Sequence, residues 1–294
     1  MPVKFLLHPH TRVRLEFADA PRILEEAGIM PSYAVEAIIR EFSDEKPAFN
    51  VRPSDVNPAF TCRRQRVWQS THEYGVNPLD IEGMTEGSAF HAQLGAHEIV
   101  VPGPEFTQGN EEVRLNVCDV AMRGRIDWLF ENRIEDLKTS TPFWIAKFPS
   151  KEAKAKDPSL RPYAEIWVPK NEDDDVKKWQ IQLSIYRILL EKSGRKAPGM
   201  GRVWRRYSGV KADKGRWKRF DFPLLSETEL DLVAGEWMRG LRDGLSEAET
   251  VDPEAWRKVP ADGKAFVGSR GNQWACDRCP LRRQCEDVEG WSGF

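Results

Sequence analysis

Gly124-Arg125-Ile126-Asp127-Trp128-Leu129-Phe130, then Glu131-Asn132, then Arg133-Ile134-Glu135-Asp136-Leu137-Lys138-Thr139, is the stretch whose reading decides the fold. It has the pattern of two apolar-rich strands joined by a tight polar turn. Alternate residues of a strand share a face. Ile126, Trp128 and Phe130 are therefore expected on one side, and Arg125, Asp127 and Leu129 on the other. On the second strand Asp136 and Lys138 share a face, and Glu135 points away. This pattern brings Asp127 and Asp136 together at one edge of a sheet, with Lys138 beside them. Two carboxylates suit a hard divalent cation, and an ammonium can orient a water or offset developing negative charge. The plainer alternative is a solvated strand end that happens to carry these residues.

Working outward, 294 residues allow one large domain or two modest ones. With 40% hydrophobic residues and 11 Trp the chain can fill a core, which excludes wholesale disorder. The formal net charge of −2 does not exclude nucleic acid as a partner, because that depends on local basic patches. The apolar run near the N-terminus is too short for a signal peptide, and no run is long enough to span a membrane. An intracellular, cytoplasmic protein is the expectation. Five cysteines without a secretion signal argue for metal ligation plus one spare, not for a disulfide framework.

Before the central stretch, residues 3–7 and 12–17 read as a hairpin around His8-Pro9-His10. Those histidines are either a metal pair or an exposed turn. Helices are expected over 21–27 and 31–42, the second with Ala34, Ala37, Ile38 and Phe42 on one face. A polar, proline-containing stretch closes an accessory unit over 1–52, and a main domain runs over 53–294. Ser54 has the character of a helix N-cap. Cys62 lies among Arg63, Arg64 and Arg66, which favour a thiolate or an anionic cluster. Gly87 and His91 sit one helical turn apart, and His91 is either a third ligand to a cation at the acidic strands or a satisfied polar residue. Strands over 113–120 and 121–130 are expected to pair, with Cys118 a structural residue inside the first.

After it, residues 140–174 read as a long irregular insertion ending in the acidic run 172–175, a helix start or a weaker chelator. A helix over 174–191 carries Val176, Trp179, Leu183, Tyr186 and Leu190 at steps of three and four. Gln182 and Tyr186 stack on one face, either in the core or at a cleft that meets a nucleotide. Residues 202–219 hold eight Lys/Arg against one Asp. They read as two strands around a glycine-containing turn. Arg202, Trp204, Arg205, Arg206, Tyr207 and Trp217 interleave charge and aromatic rings as single-stranded nucleic acid requires, or else form an ordinary exposed hairpin. A helix over 227–245 presents Leu230, Leu232, Val233, Trp237 and Leu241. Near the end Cys276, Cys279 and Cys285 have the spacing C-x2-C-x5-C. Zinc and iron–sulfur clusters both need four ligands, and Cys62 is the plausible fourth.

Gly87-x3-His91, Gly124-Arg-Ile-Asp127, Asp136-Leu-Lys138, Gln182-x3-Tyr186 and the four cysteines, in that order, resemble the RecB-like branch of the PD-(D/E)XK nucleases. The likeness is to its iron–sulfur members, the AddB nuclease and the CRISPR-associated adaptation exonucleases, and covers about residues 53–287. It implies an α/β fold with a restriction-endonuclease-like core, a mixed central sheet flanked by helices, plus the small N-terminal unit. It implies Mg²⁺ or Mn²⁺ on His91, Asp127 and Asp136, Lys138 as the catalytic lysine, and Gln182 and Tyr186 on the substrate side. It also implies a 4Fe–4S cluster on Cys62, Cys276, Cys279 and Cys285 that pins the C-terminal tail. The expected activity is hydrolysis of DNA, single-stranded or with a free end. No helicase phosphate loop of the G-x4-G-K-[ST] type occurs in the sequence, so unwinding would need a separate helicase or recombination protein. The rival readings are a non-catalytic single-stranded nucleic-acid-binding module and a zinc-stabilised recombination scaffold.

Overall fold

Leu6 and Leu15 face each other across the first ladder, and their burial sets its register. Strand β1 (Val3–Leu7) pairs antiparallel with β2 (Arg14–Glu16), as the hairpin pattern predicts. The computed structural model describes residues 3–11, 13–43, 51–58, 61–76, 78, 106–107, 112–140, 143–149, 163–169, 172–207, 217–262, 279, 281 and 285. Helix α1 (Ala20–Glu26) carries Pro21 in its first turn, where a missing N–H costs nothing. Helix α2 (Ser32–Ser43) buries Val35 and Ile38 against Leu6, Leu15 and Leu24. Its face is rotated from the expected one, because Ala37 is exposed; the side chain of Phe42 lies outside the described residues.

Asp55, not Ser54, caps the next turn: its carboxylate accepts the Arg52 N–H at 3.1 Å in a short 3-10 turn. Helix α3 (Arg63–Thr71) follows, with Cys62 at its N-cap position. Strand β3 (Tyr74–Val76) then runs parallel to β1, so the N-terminal sheet draws its third strand from beyond α3.

Strand β4 (Phe106–Thr107) precedes a hairpin of β5 (Glu112–Val117) and β6 (Val120–Arg125). Cys118 and Asp119 form its turn with φ of 47° and 63°, the left-handed pair that a two-residue hairpin needs. Cys118 is therefore a turn residue and not a strand residue. The chain leaves this ladder at Ile126-Asp127 and enters another. Strand β7 (Trp128–Phe130) pairs antiparallel with β8 (Arg133–Ser140). The expected strand over 121–130 is thus two strands, and the break resets the alternation: Leu129 and Phe130 are both buried.

Residues 140–174 are not irregular throughout. Strands β9 (Phe143–Pro149) and β10 (Tyr163–Pro169) pair antiparallel from end to end. Their Phe-Trp-Ile and Ile-Trp-Val runs favour a pleated ladder over a loop. Helix α4 (Glu172–Lys192) begins in the acidic run and buries Trp179, Leu183, Tyr186 and Leu190 on the expected face. Strands β11 (Met200–Tyr207) and β12 (Trp217–Pro223) form the expected basic hairpin. A mixed sheet results, in the order β12-β11-β8-β7-β4, with β11 parallel to β8 and the other pairs antiparallel. Helix α5 (Glu227–Leu230) is capped by Ser226, whose hydroxyl accepts the Glu229 N–H. It passes through a π turn (Asp231–Gly235) into helix α6 (Glu236–Thr250). The wider turn rotates the face, leaving Leu232 82% exposed and Val233 exposed beside it, while Leu230, Ala234, Trp237, Met238 and Leu241 stay inside.

Candidate active site

The β7–β8 register places Trp128 opposite Glu135 and Leu129 opposite Ile134. Carried back one pair, it sets Asp127 opposite Asp136. Strand β7 is too short to supply a carbonyl there, and the Asp127 carboxylate takes its place: Oδ2 accepts the Leu137 N–H at 3.3 Å. The pair lies inside the sheet where β7 stops, not at the sheet's edge as expected, because β11 covers the far side of β8.

Asp136 is only 5% exposed. Its Oδ2 accepts from Lys138 Nζ at 2.7 Å and from Gln182 Nε2 at 3.3 Å. Its Oδ1 is buried with no hydrogen-bond partner among the described residues. A buried acceptor left unmet is costly, and a cation in front of it removes the cost. Burial and the charge of Asp136 push the Asp127 carboxyl up to about 7, against the pull of Lys138 and the Leu137 N–H. Two adjacent carboxylates, one of them with an unmet oxygen, are a donor set that a hard divalent cation fits.

Gln182 also donates to the Tyr186 hydroxyl at 3.4 Å, so α4 presents the expected pair to the acidic residues. Burial holds the Tyr186 phenol well above its usual range. Its ring lies against Gly124, where a Cβ would come within 2.3 Å of Cε1 and 3.0 Å of Pro53 Cγ. A glycine inside a strand pattern is the sequence signal for such a close approach. Glu135 is on the opposite face, accepting from Arg133 at 2.5 Å and from Arg202 at 3.2 Å. The alternation on β8 is as expected.

The basic hairpin divides its residues. Arg205 is 2% exposed and pairs with Asp175 at 2.7 Å, with its guanidinium carbon 5.4 Å from the Trp179 ring centre. Arg205 thus faces the interior of the site and not an open nucleic-acid surface, because β11 alternates and positions 203 and 205 point under α4. The acidic run at the start of α4 therefore has a partner that helix-start reasoning alone does not reveal. Arg202 is tied to Glu135 and, at 2.6 Å, to Asp221. Trp204 and Arg206 are half-buried and Trp217 is 45% exposed. The side chain of Tyr207 lies outside the described residues. Lys178, which sequence reasoning passed over, stands one turn before Gln182; burial first, then Lys138, lowers its pKa.

The C-terminal segment returns to the start of α3. Arg63 grips Asp262 through two nitrogens at 2.7 and 2.9 Å. The buried Arg64 donates to the Val259 carbonyl at 2.7 Å and to Cys285 Sγ at 3.5 Å. Cys279 and Cys285 pack against the main core. Cys276 and His91 lie outside the described residues. Among the described residues no three His, Cys, Asp or Glu side chains converge closely enough to hold a metal ion, so neither expected ligand set is complete within them. Cys118 stands apart, its thiol pushed up to about 12 by burial and by Asp231 and Glu227. His8 accepts backbone N–H groups of His10 and Thr11 at 3.3 Å, as a turn residue does.

No family model matches the chain, and no curated protein does. Among solved structures, the crystal structure of SSO0001 is similar at 15% identity, covering 86% of this chain and 93% of that one with a TM-score of 0.40. A likeness of that size carries no argument. Among the described residues no helix is long and apolar enough to cross a membrane.

Proposed function

We propose that the chain is a metal-dependent deoxyribonuclease on a restriction-endonuclease-like core, acting on single-stranded or end-containing DNA. The observation that carries the reading is Asp127, Asp136 and Lys138 gathered where β7 stops, with Asp136 Oδ1 buried and unmet. Asp127 and Asp136 would hold Mg²⁺ or Mn²⁺, with His91 as the third ligand. When bound, such a cation supplies a water of lowered pKa and offsets charge on the phosphate. Gln182 fixes the rotamer of Asp136 and is itself fixed by Tyr186. Lys138 is positioned to orient the attacking water and to balance the charge that builds on the phosphate oxygens. Trp217, Trp204 and Arg206 share the sheet face of Glu135, opposite Asp136 and Lys138. A single strand stacked on them, at about 1–3 kcal/mol per ring, would therefore lie across the hairpin on the side away from the acidic pair.

In the same reading Cys62, Cys276, Cys279 and Cys285 carry a structural 4Fe–4S cluster. Their all-thiolate chemistry suits it, and the Arg64 guanidinium beside Cys285 suits an anionic group. The test is digestion of labelled single-stranded and duplex oligonucleotides with Mg²⁺ or Mn²⁺. Cleavage that EDTA, Asp136→Asn and Lys138→Met each abolish supports the reading. DNA binding without cleavage under every cation would replace it with a non-catalytic binding module.

A further inference from the structure

We propose that Lys178 is a substrate-binding residue that grips a DNA phosphate beside the scissile bond; this rests on the nuclease reading. Asp175, Lys178, Gln182 and Tyr186 follow one another at steps of three and four, so they form one stripe along α4. The members on either side of Lys178 have fixed partners. Asp175 reaches Arg205 on β11, and Gln182 reaches Asp136 on β8. Arg205 and Lys138 are direct register partners on those two parallel strands. Lys178 is therefore held over the seam between them, in the field of Lys138, Asp175, Asp136 and Arg205.

The cations at this seam are not equivalent. Lys138 is closed on Asp136 and Arg205 on Asp175, whereas Lys178 makes no ion pair or hydrogen bond among the described residues. A lysine serving only the fold would close on one of the carboxylates whose field it shares. Instead its half-buried ammonium stands near two other cations, an arrangement that an anion relieves. The charge balance points the same way. Lys138, Lys178 and Arg205 face Asp127, Asp136 and Asp175, three cations to three carboxylates. Adding a divalent cation leaves an excess of two positive charges, which a phosphodiester and a hydroxide together neutralise. Lys178 supplies the protein's share of that excess on the α4 side.

The test compares Lys178→Met and Lys178→Arg with the wild-type full chain. Cleavage of a labelled single-stranded oligonucleotide is followed at varied concentration, and binding is followed by anisotropy in Ca²⁺ across a salt series. Loss of one charge-assisted contact should lower kcat/KM about 10- to 100-fold in Lys178→Met, with substantial recovery in Lys178→Arg. The slope of log affinity against log salt should fall by about one charge's worth, roughly 0.7 for a single strand, at an unchanged melting temperature. Wild-type kinetics and salt slope in Lys178→Met overturn the assignment and leave the nuclease reading standing. A wild type that binds with a Lys178-dependent slope yet shows no cleavage with Mg²⁺ or Mn²⁺ overturns the nuclease reading and leaves the phosphate contact. A deficit that tracks a lowered melting temperature and is not recovered by arginine makes Lys178 structural and overturns the assignment.

Discussion

Substituting Gly124 with alanine tests whether the acidic strands and α4 are locked together. The new Cβ would lie 2.3 Å from Tyr186 Cε1, well inside contact distance. Carbon atoms settle at about 3.5–4.0 Å, so the ring must retreat by roughly an ångström. It has little room, because Tyr186 is buried, and the same Cβ also crowds Pro53 Cγ at 3.0 Å. Overpacking of this kind costs about 1–3 kcal/mol. Moving the ring also withdraws the hydroxyl that Gln182 holds, loosening its grip on Asp136. Urea unfolding of Gly124→Ala, Tyr186→Leu and the double variant gives a double-mutant cycle. Leucine has no atom at the Cε1 position, so the double variant should be more stable than the sum of the two losses by about 1–3 kcal/mol. Costs that add within about 0.5 kcal/mol would show that Gly124 and Tyr186 do not meet as described.

Four other outcomes are expected. In Mn²⁺ titrations by calorimetry, Asp127→Asn or Asp136→Asn should weaken binding at least ~10-fold, as lost ligands do, while Lys138→Met and Glu135→Ala keep it. Weak binding in Glu135→Ala with normal binding in Asp136→Asn would mean the β8 register is off by one. A carboxyl raised to about 7 binds its proton more tightly in the folded state. In EDTA, stability should therefore fall as pH rises from about 4 to about 7, and Asp127→Asn should flatten that slope. Mn²⁺ needs the deprotonated carboxylate, so its affinity should rise over the same window. Iron and sulfide analysis should find both in the wild type and in Cys118→Ser and neither in Cys276→Ser; zinc without sulfide would remove the cluster and spare the acidic site. Arg64→Met leaves the Val259 carbonyl without this donor and should cost about 1–3 kcal/mol in urea unfolding whether or not the cluster is loaded.

The sequence is most legible where one local period governs a long segment. The alternation over 133–140 places Glu135 and Asp136 on their true faces, and the steps from Val176 to Leu190 lay out α4. Those two segments hold Asp136, Lys138, Gln182 and Tyr186, most of the candidate site. What was hidden depends on partners far along the chain. Nothing local to Ile126-Asp127 says that the chain changes ladders there, since both halves are apolar and strand-like. Arg205 reads as one more surface arginine until Asp175, thirty residues away, claims it. The π turn moves Leu232 and Val233 to the surface by widening one helical turn, against the apolar periodicity of the segment.

The hydrogen bond from the Leu137 amide to Asp127 gives this protein a built-in reporter. A carboxylate oxygen drawn toward a cation changes the acceptor seen by one backbone N–H in the middle of β8. In a ¹⁵N-labelled sample that single resonance should shift on adding Mg²⁺, with no engineered probe and no substrate. The amide of Ile134, three residues along β8 and in register with Gly201 of β11, serves as the internal reference.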